Sequence, residues 1–382
     1  MKGNLTRRGK SSWRLKFDTG RDPVTGRRIT KFVTLRGTKA QAQAEATKIL
    51  AEVAAGTHVG PSKVTVGEFV RARVSQWEAA GTISARSARR YGQLVEHQIM
   101  PHIGGRELQK LKPLDVEQWH TGLRTSGRVR GSGGVAARTI GHAHRILSKA
   151  LKDAAKNGLV SRNVATLESP PKVTDTEMVI VRDVPALLEK LQGSALRVPA
   201  LLGVLCGMRL GEVLALRWNR VNLDAKIVQV RETLEPTETT HGIRFKSPKS
   251  RAGSRDISMP DEVVDALREY RRNQRELRMQ LGAGKLPDDA LLFANINGQP
   301  RSLYAVSAAW RVFAKRIGMP GLTFHCLRHS HASQLIHEGV DIVTISKRLG
   351  HAKPDITLRI YAHLFQKDDS RAAAAINAAL KR

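Results

Sequence analysis

HCLRHSHAS at 325–333 and LGHAKPDITLRIYAH at 349–363 decide how this chain is read, because together they gather imidazoles, guanidiniums and a phenol. His325 and His329 stand at i and i+4, on one face of a helix. Zinc proteases use the same spacing. Here no acidic residue separates the two histidines, and Arg328 would set a fixed positive charge beside any cation, so no metal site is expected. Upstream, GMRLGEVLALRW at 207–218 supplies Arg209, with Glu212 one turn further on.

These residue types suit phosphoryl transfer. A phosphodiester attacked in line gathers negative charge on its non-bridging oxygens, and two guanidiniums can bind that charge through paired hydrogen bonds. Arg209 and Arg328 are the candidates. A nucleophile must lose a proton and a leaving alkoxide must gain one, which calls for His325, His351 and a lysine nearby.

Taken together, the fragments resemble the tyrosine recombinases of the phage integrase family. Gly-Met-Arg209-Leu-Gly-Glu resembles the first arginine motif, and His325-Cys-Leu-Arg328-His329 resembles the His-x-x-Arg-His box. Leu349-Gly350-His351, followed ten positions later by Tyr361, resembles the nucleophile box. The resemblance implies that Tyr361 attacks DNA to form a 3′-phosphotyrosyl bond, releasing a 5′-hydroxyl. Arg209 and Arg328 would clamp the phosphate, His351 would donate a further hydrogen bond, and His325 would act in proton transfer at the tyrosine. The family's hairpin lysine, which protonates the leaving oxygen, matches Lys249 ahead of Arg255-Asp-Ile-Ser, with Lys246 as a rival. His329 would be a structural support, and Glu212 would orient Arg209 or pack behind it.

The implied function is an integrase acting through a Holliday junction, as a homotetramer on double-stranded attachment sites. A host DNA-bending protein and a directionality factor are candidate accessory partners. A chromosome-dimer or plasmid resolving recombinase is the rival within the same chemistry; a non-catalytic DNA-binding regulator would explain the charge but not the Arg, His and Tyr set. A metal-dependent nuclease would explain cleavage alone.

Charge points the same way. The chain carries 64 Lys+Arg against 34 Asp+Glu, a net +30, far beyond what solubility needs. Its first 172 residues hold 32 of those basic side chains and only 12 of the acidic ones. Such an excess draws in a polyanion through counterion release.

The patterning suggests a mixed α+β multidomain protein. Trp13, Leu15 and Phe17 alternate with Arg14 and Lys16, and a second alternating run spans 29–35, so a small sheet with basic side chains, Lys31 included, on an open face is expected. Thr38 with Gln41 caps an Ala-rich helix, which closes a β-sheet plus helix domain at 1–58. Thr65 with Glu68 opens an all-α domain at 64–168, with helices expected at 66–80, 84–100, 113–124 and 136–157. On the last, Ile140, Ala143, Leu147, Leu151 and Ala154 share one line, opposite Arg138, Arg145, Lys149, Lys152 and Lys156. With Arg86, Arg89 and Arg90, that basic face is a candidate DNA contact. The remainder, 174–382, reads as mainly helical with short strands, including a hairpin over 243–259. By resemblance the three parts are an arm-type DNA-binding domain, a SAM-like core-binding domain and a catalytic domain. The AAAAINAAL helix at 372–380 would then dock in cis or on a neighbouring protomer.

No apolar run approaches the roughly 18 residues of a membrane span, and the opening residues lack the apolar core of a secretory signal. A cytoplasmic, nucleoid-associated protein is the expectation. Cys206 and Cys326 are the only cysteines and read as reduced core thiols.

Overall fold

The computed structural model describes residues 3–21, 25–55, 59–174, 179–237, 242–248, 250–364 and 376–380. The chain divides into two compact units, 1–175 and 176–382.

The first unit begins with an antiparallel sheet of β1 (Asn4–Gly9), β2 (Ser12–Arg21) and β3 (Arg28–Arg36), followed by α1 (Lys39–Ala54). Side chains alternate across the pleat, so Leu15, Phe17 and Leu35 share the inner face and pack on Ala42, Ala46 and Val53 of α1. Each fully buried Leu or Phe stabilises by roughly 1.5–3 kcal/mol. The Thr38–Gln41 capping box forms in both directions. Register sets the outer face: Thr6 pairs with Arg14, Arg14 with Thr34, and Lys16 with Phe32. Arg14 lies over the Phe32 ring, 5.8 Å from its centroid. Lys31 does not join them. It pairs with Phe17, whose face is the helix side, so the period of two turns Lys31 away from Arg14 and Lys16.

The helical part of this unit runs through α2 (Val66–Ala79), α3 (Ala85–Leu94), α4 (Pro113–Ser126) and α5 (Ala137–Lys156). The helix expected to 100 ends as an α-helix at Leu94 and continues as a wider π-helical stretch, Val95–Gly104. Pro101 lies inside it, and a proline has no N–H to give an i→i−4 ladder. Val66, Val70, Trp77, Ile99, Trp119 and the apolar line of α5 make one core.

The second unit starts with α6 (Val184–Lys190), α7 (Arg197–Leu205) and the short α8 (Leu210–Leu214). Five strands follow: β4 (Val221–Asn222), β5 (Ile227–Val230), β6 (Thr233–Pro236), β7 (Ile243–Lys246) and β8 (Arg255–Ser258). They are arranged as β4-β5-β8 and a separate β6-β7 hairpin. The hairpin expected over 243–259 is therefore divided between two sheets. β7 pairs back onto β6, while β8 pairs with β5, where Val228 faces Ile257 and both are buried. Helices α9 (Asp261–Gln280), α10 (Leu303–Arg316), α11 (Phe324–His337), α12 (Ile342–Leu349) and α13 (Pro354–Tyr361) follow, with a further helical stretch at 376–380; short 3-10 turns link several of the elements. The core gathers α7, α9, α10 and the three-stranded sheet around Trp310, Phe293 and Leu201. No helix among the described residues is long and apolar enough to cross a membrane.

Candidate active site

Two glycines build the turns on which the motif residues sit. Gly207 has φ +65°, and a Cβ there would come within 2.7 Å of His331. The turn thus needs both the left-handed backbone and the missing side chain. It delivers Arg209 to the N-cap of α8 and aims the Gly207 carbonyl at Arg328 Nη1, which donates to it at 2.7 Å. Gly350, φ +68°, ends α12 and turns the chain toward His351; a Cβ there would lie 2.9 Å from Arg255 Nη1.

Arg328, on α11, is 2% exposed. Besides Gly207 it donates from Nη2 to the Leu349 carbonyl, so it ties the turn before α8 to the turn after α12. Among the described residues no carboxylate forms an ion pair with it. Burial, then the charge of Arg209, pushes its guanidinium down to about 9, which still leaves it charged at neutral pH. A buried cation held by neutral carbonyls suits an incoming anion.

Arg209 is more open. Its Nη1 donates to Glu212 Oε1 at 2.7 Å, and its backbone N–H donates to Glu212 Oε2 at 3.0 Å. Glu212 also receives a fork from Arg255 of β8: Nη1 to Oε1 at 3.2 Å and Nη2 to Oε2 at 2.9 Å. Burial would raise the Glu212 carboxyl, but hydrogen bonds and charge from Arg255, with Arg209 behind them, hold it at about 2.

Tyr361 closes α13 at 1% exposure, packed on Ala332, Ile336, Ile345 and Leu349. Its hydroxyl lies 2.6 Å from His329 Nδ1. Burial pushes the phenol up to about 12, with Arg328 pulling the other way. His325 is exposed and sets its ring edge-on to His329, centroids 4.6 Å apart. Desolvation lowers His325, followed by Arg328 and Arg209. His329 falls to about 4 through burial, then His325 and Arg328. His351 Nδ1 lies 2.7 Å from the hydroxyl of the fully buried Thr357. Burial, then Arg328, Arg209 and Arg255, brings His351 to about 4.

Arg209 therefore sits close enough to lower His325, Arg328 and His351, Arg328 lowers both histidines, and Tyr361 feels Arg328. His329, expected as a structural support, places its Nδ1 against the Tyr361 hydroxyl. Its i+4 spacing from His325 was the available signal. Lys249 lies outside the described residues. Its rival Lys246 reaches Glu235 Oε2 at 3.4 Å, an oxygen that also receives Arg244. Sequence reasoning gave Arg255 no role beyond marking the lysine's context, and it passed over Thr357, His331 and Arg348. Arg348 Nε donates to His331 Nε2 at 3.0 Å, which leaves His331 Nδ1 to donate to the Val204 carbonyl, also at 3.0 Å. Among the described residues no cluster could hold a metal ion.

In the first unit Arg86, Arg89 and Arg90 are exposed on α3, as are Arg138 and Arg145 on α5. The two helices present a shared basic face: His142 is lowered by burial and then by Arg145, Arg90 and Arg138. Lys149 stacks on Trp77, its Nζ 3.9 Å from the ring centroid.

Residues 181–368 match the model of the phage integrase family, and 72–124 match that of the phage integrase N-terminal SAM-like domain. A tyrosine recombinase XerC-like protein of Caldanaerobacter subterraneus subsp. tengcongensis is 24% identical over 393 residues, covering 98% of either chain. Among solved structures, the Tn1549 transposon integrase in complex with a circular intermediate DNA is similar at TM-score 0.68 and 18% identity, over 83% of this chain and 99% of that one. A lambda integrase tetramer bound to a Holliday junction is similar at TM-score 0.51 and 19% identity, over 93% and 97%. At such identities the structures speak for the fold.

Proposed function

Because this chain belongs to the phage integrase family of tyrosine recombinases, we propose that it integrates or excises a mobile element by cutting and rejoining DNA strands in pairs. The observation that carries this reading is the cluster in which Arg328 ties the turn before Arg209 to the turn before His351, while His329 joins the ring of His325 to the Tyr361 hydroxyl.

In the proposed step the Tyr361 oxygen attacks phosphorus and the P–O5′ bond breaks. The 5′ oxygen leaves with a proton from the hairpin lysine, Lys249 or Lys246. Arg209 and Arg328 bind the non-bridging oxygens. With Thr357 donating to Nδ1, His351 keeps Nε2–H for the same phosphate. At 1% exposure the phenol cannot meet a phosphate where it stands, so α13 must shift when DNA binds. We read His329 as the group that holds the hydroxyl at rest, and exposed His325 as the acceptor of its proton once released. The covalent link conserves the bond energy, so rejoining needs no nucleotide cofactor.

By the same reading 1–58 is an arm-type DNA-binding domain, 64–168 a core-binding domain and 174–382 the catalytic domain, assembling as a tetramer on a Holliday junction at the chromosome. The solved lambda tetramer supports that assembly, and a bending protein and directionality factor would assist. The XerC-like relative favours a second reading, resolution of chromosome or plasmid dimers. Deleting residues 1–60 separates the two: an integrase loses a second, distant class of binding site and a resolvase loses none.

The chemistry is tested with a nicked suicide duplex, built from the ends flanking the coding gene, in EDTA. A covalent adduct that disappears in Tyr361→Phe while DNA binding persists supports the reading. Cleavage that requires magnesium, or an adduct on another side chain, overturns it.

A further inference from the structure

The Arg255–Glu212 pair goes beyond the phosphate clamp. Arg255 is 8% exposed and Glu212 is 4%, and they are 43 positions apart in the chain, on β8 and α8. Every guanidinium nitrogen of Arg255 is engaged: Nη1 and Nη2 fork onto Glu212, Nη1 also donates to the Gly253 carbonyl at 3.2 Å, and Nε donates to the Arg348 carbonyl at 2.7 Å. The last bond reaches the end of α12, one residue before Leu349, whose carbonyl holds Arg328. Gly350 is kept free of a side chain where Arg255 passes.

We propose that Arg255 is a positioning residue for strand cleavage: by neutralising Glu212 it leaves the charge of Arg209 available to the scissile phosphate and fixes the angle of its guanidinium. The inference rests on the recombinase reading above. Glu212 has one negative charge and two cations on it. With Arg255 in place, that charge is balanced from the buried side, and Arg209 needs only Nη1 to complete the set. Without Arg255, the buried carboxylate has Arg209 as its sole ion-pair partner among the described residues, and Arg209 would be drawn onto it and away from DNA. The loss would then fall on the charge that develops on the non-bridging oxygens rather than on proton transfer or on DNA affinity.

Substrate charge tests this. Full-length protein is given two suicide duplexes, one with the natural scissile phosphodiester and one with a racemic methylphosphonate there, in which a methyl group replaces a charged oxygen. Arg255→Gln, Arg255→Lys and Arg209→Ala are compared with wild type in single-turnover adduct formation. Arg255→Gln should be slower by about 100-fold on the phosphodiester but by less than about threefold on the methylphosphonate, where the charge to be balanced is gone. Arg255→Lys keeps the charge without the fork and should fall between. Arg209→Ala should show the same substrate pattern, and Arg209→Ala with Arg255→Gln should be no slower than Arg209→Ala alone. The ratio between substrates is read within each preparation, so a smaller folded fraction cancels from it. Equal deficits on both duplexes, or multiplying deficits in the double variant, overturn the inference while leaving the recombinase reading intact. A wild type that forms no tyrosyl adduct overturns that reading, and this inference with it.

Discussion

Two regions of this molecule are strongly basic, and they hold their charge in opposite ways. On α3 and α5, Arg86, Arg89, Arg90, Arg138 and Arg145 are exposed to solvent, which screens their charges. Around Arg328, Arg255 and Arg348 the guanidiniums are buried or half-buried, held by carbonyls, an imidazole and one shared carboxylate, and each alters its neighbours' ionisation. Cations of the first kind give affinity that falls with salt. Those of the second kind are preorganised, which favours rate over affinity.

The largest test of that contrast is Arg328→Ala. Removing a preorganised donor should slow single-turnover adduct formation by about 10²–10³-fold, while DNA affinity in a gel-shift titration changes by less than about threefold. If affinity falls as far as rate does, the buried cluster is behaving like a surface patch and the distinction fails.

Acid should expose the same difference through stability. His331 is 5% exposed and is pushed down to about 3 by burial and then by Arg348. Its unfolded value is near 6.5. Between those values the unfolded chain binds the proton and the folded chain does not, so this group makes stability rise with pH and fall as pH drops from about 6.5 toward 3. His329, His351 and Glu212 titrate in overlapping windows but are common to both proteins when His331→Gln is compared with wild type. In that comparison the slope of unfolding free energy against pH from 6 to 4 should flatten by about one proton, ~1.4 kcal/mol per pH unit. An unchanged slope in urea titrations would mean that His331 is not held neutral by the cluster.

How much of this was legible depended on whether a residue's role is local. Arg209, Arg328, His351 and Tyr361 sit in short spaced boxes, and each box folds as a turn plus a helix end, so their order along the chain signals their grouping. The capping pairs Thr38–Gln41 and Thr65–Glu68 were readable for the same reason, since both partners lie within one turn. Arg255 was not, because its meaning lies in a fork to Glu212 across 43 positions, and nothing in Arg-Asp-Ile-Ser marks that partner. The 243–259 hairpin failed on a related point. Alternation shows that a segment is a strand, but burial chooses its neighbour, and β8 gained a buried partner from β5 rather than from β7.

On the exposed side, Arg138→Ala and Arg145→Ala should each weaken duplex binding by only about threefold and lower the slope of log K against log salt by about 1. Adduct formation at saturating protein should be unchanged. If either variant slows cleavage at saturation, the α5 face does more than gather DNA.

The smallest expected effect is the most specific to geometry. Composition treats Lys16 and Lys31 as equals, two ammonium groups in neighbouring strands of one sheet. Register does not, because Lys16 pairs with Phe32 on the outer face beside Arg14, whereas Lys31 pairs with Phe17 on the helix side. Its Nζ lies 3.7 Å from where a Cβ on Gly60 would stand. A phosphate approaching the outer face meets Lys16 directly and Lys31 only through the sheet. Lys16→Ala in the full-length protein should lower the salt slope on duplex DNA by about 0.9, and Lys31→Ala by close to zero. Equal drops would mean that DNA meets the sheet along its β3 edge, where the ammonium groups of both faces can reach it, and the division of this sheet into a wet basic face and a packed one would have to be redrawn.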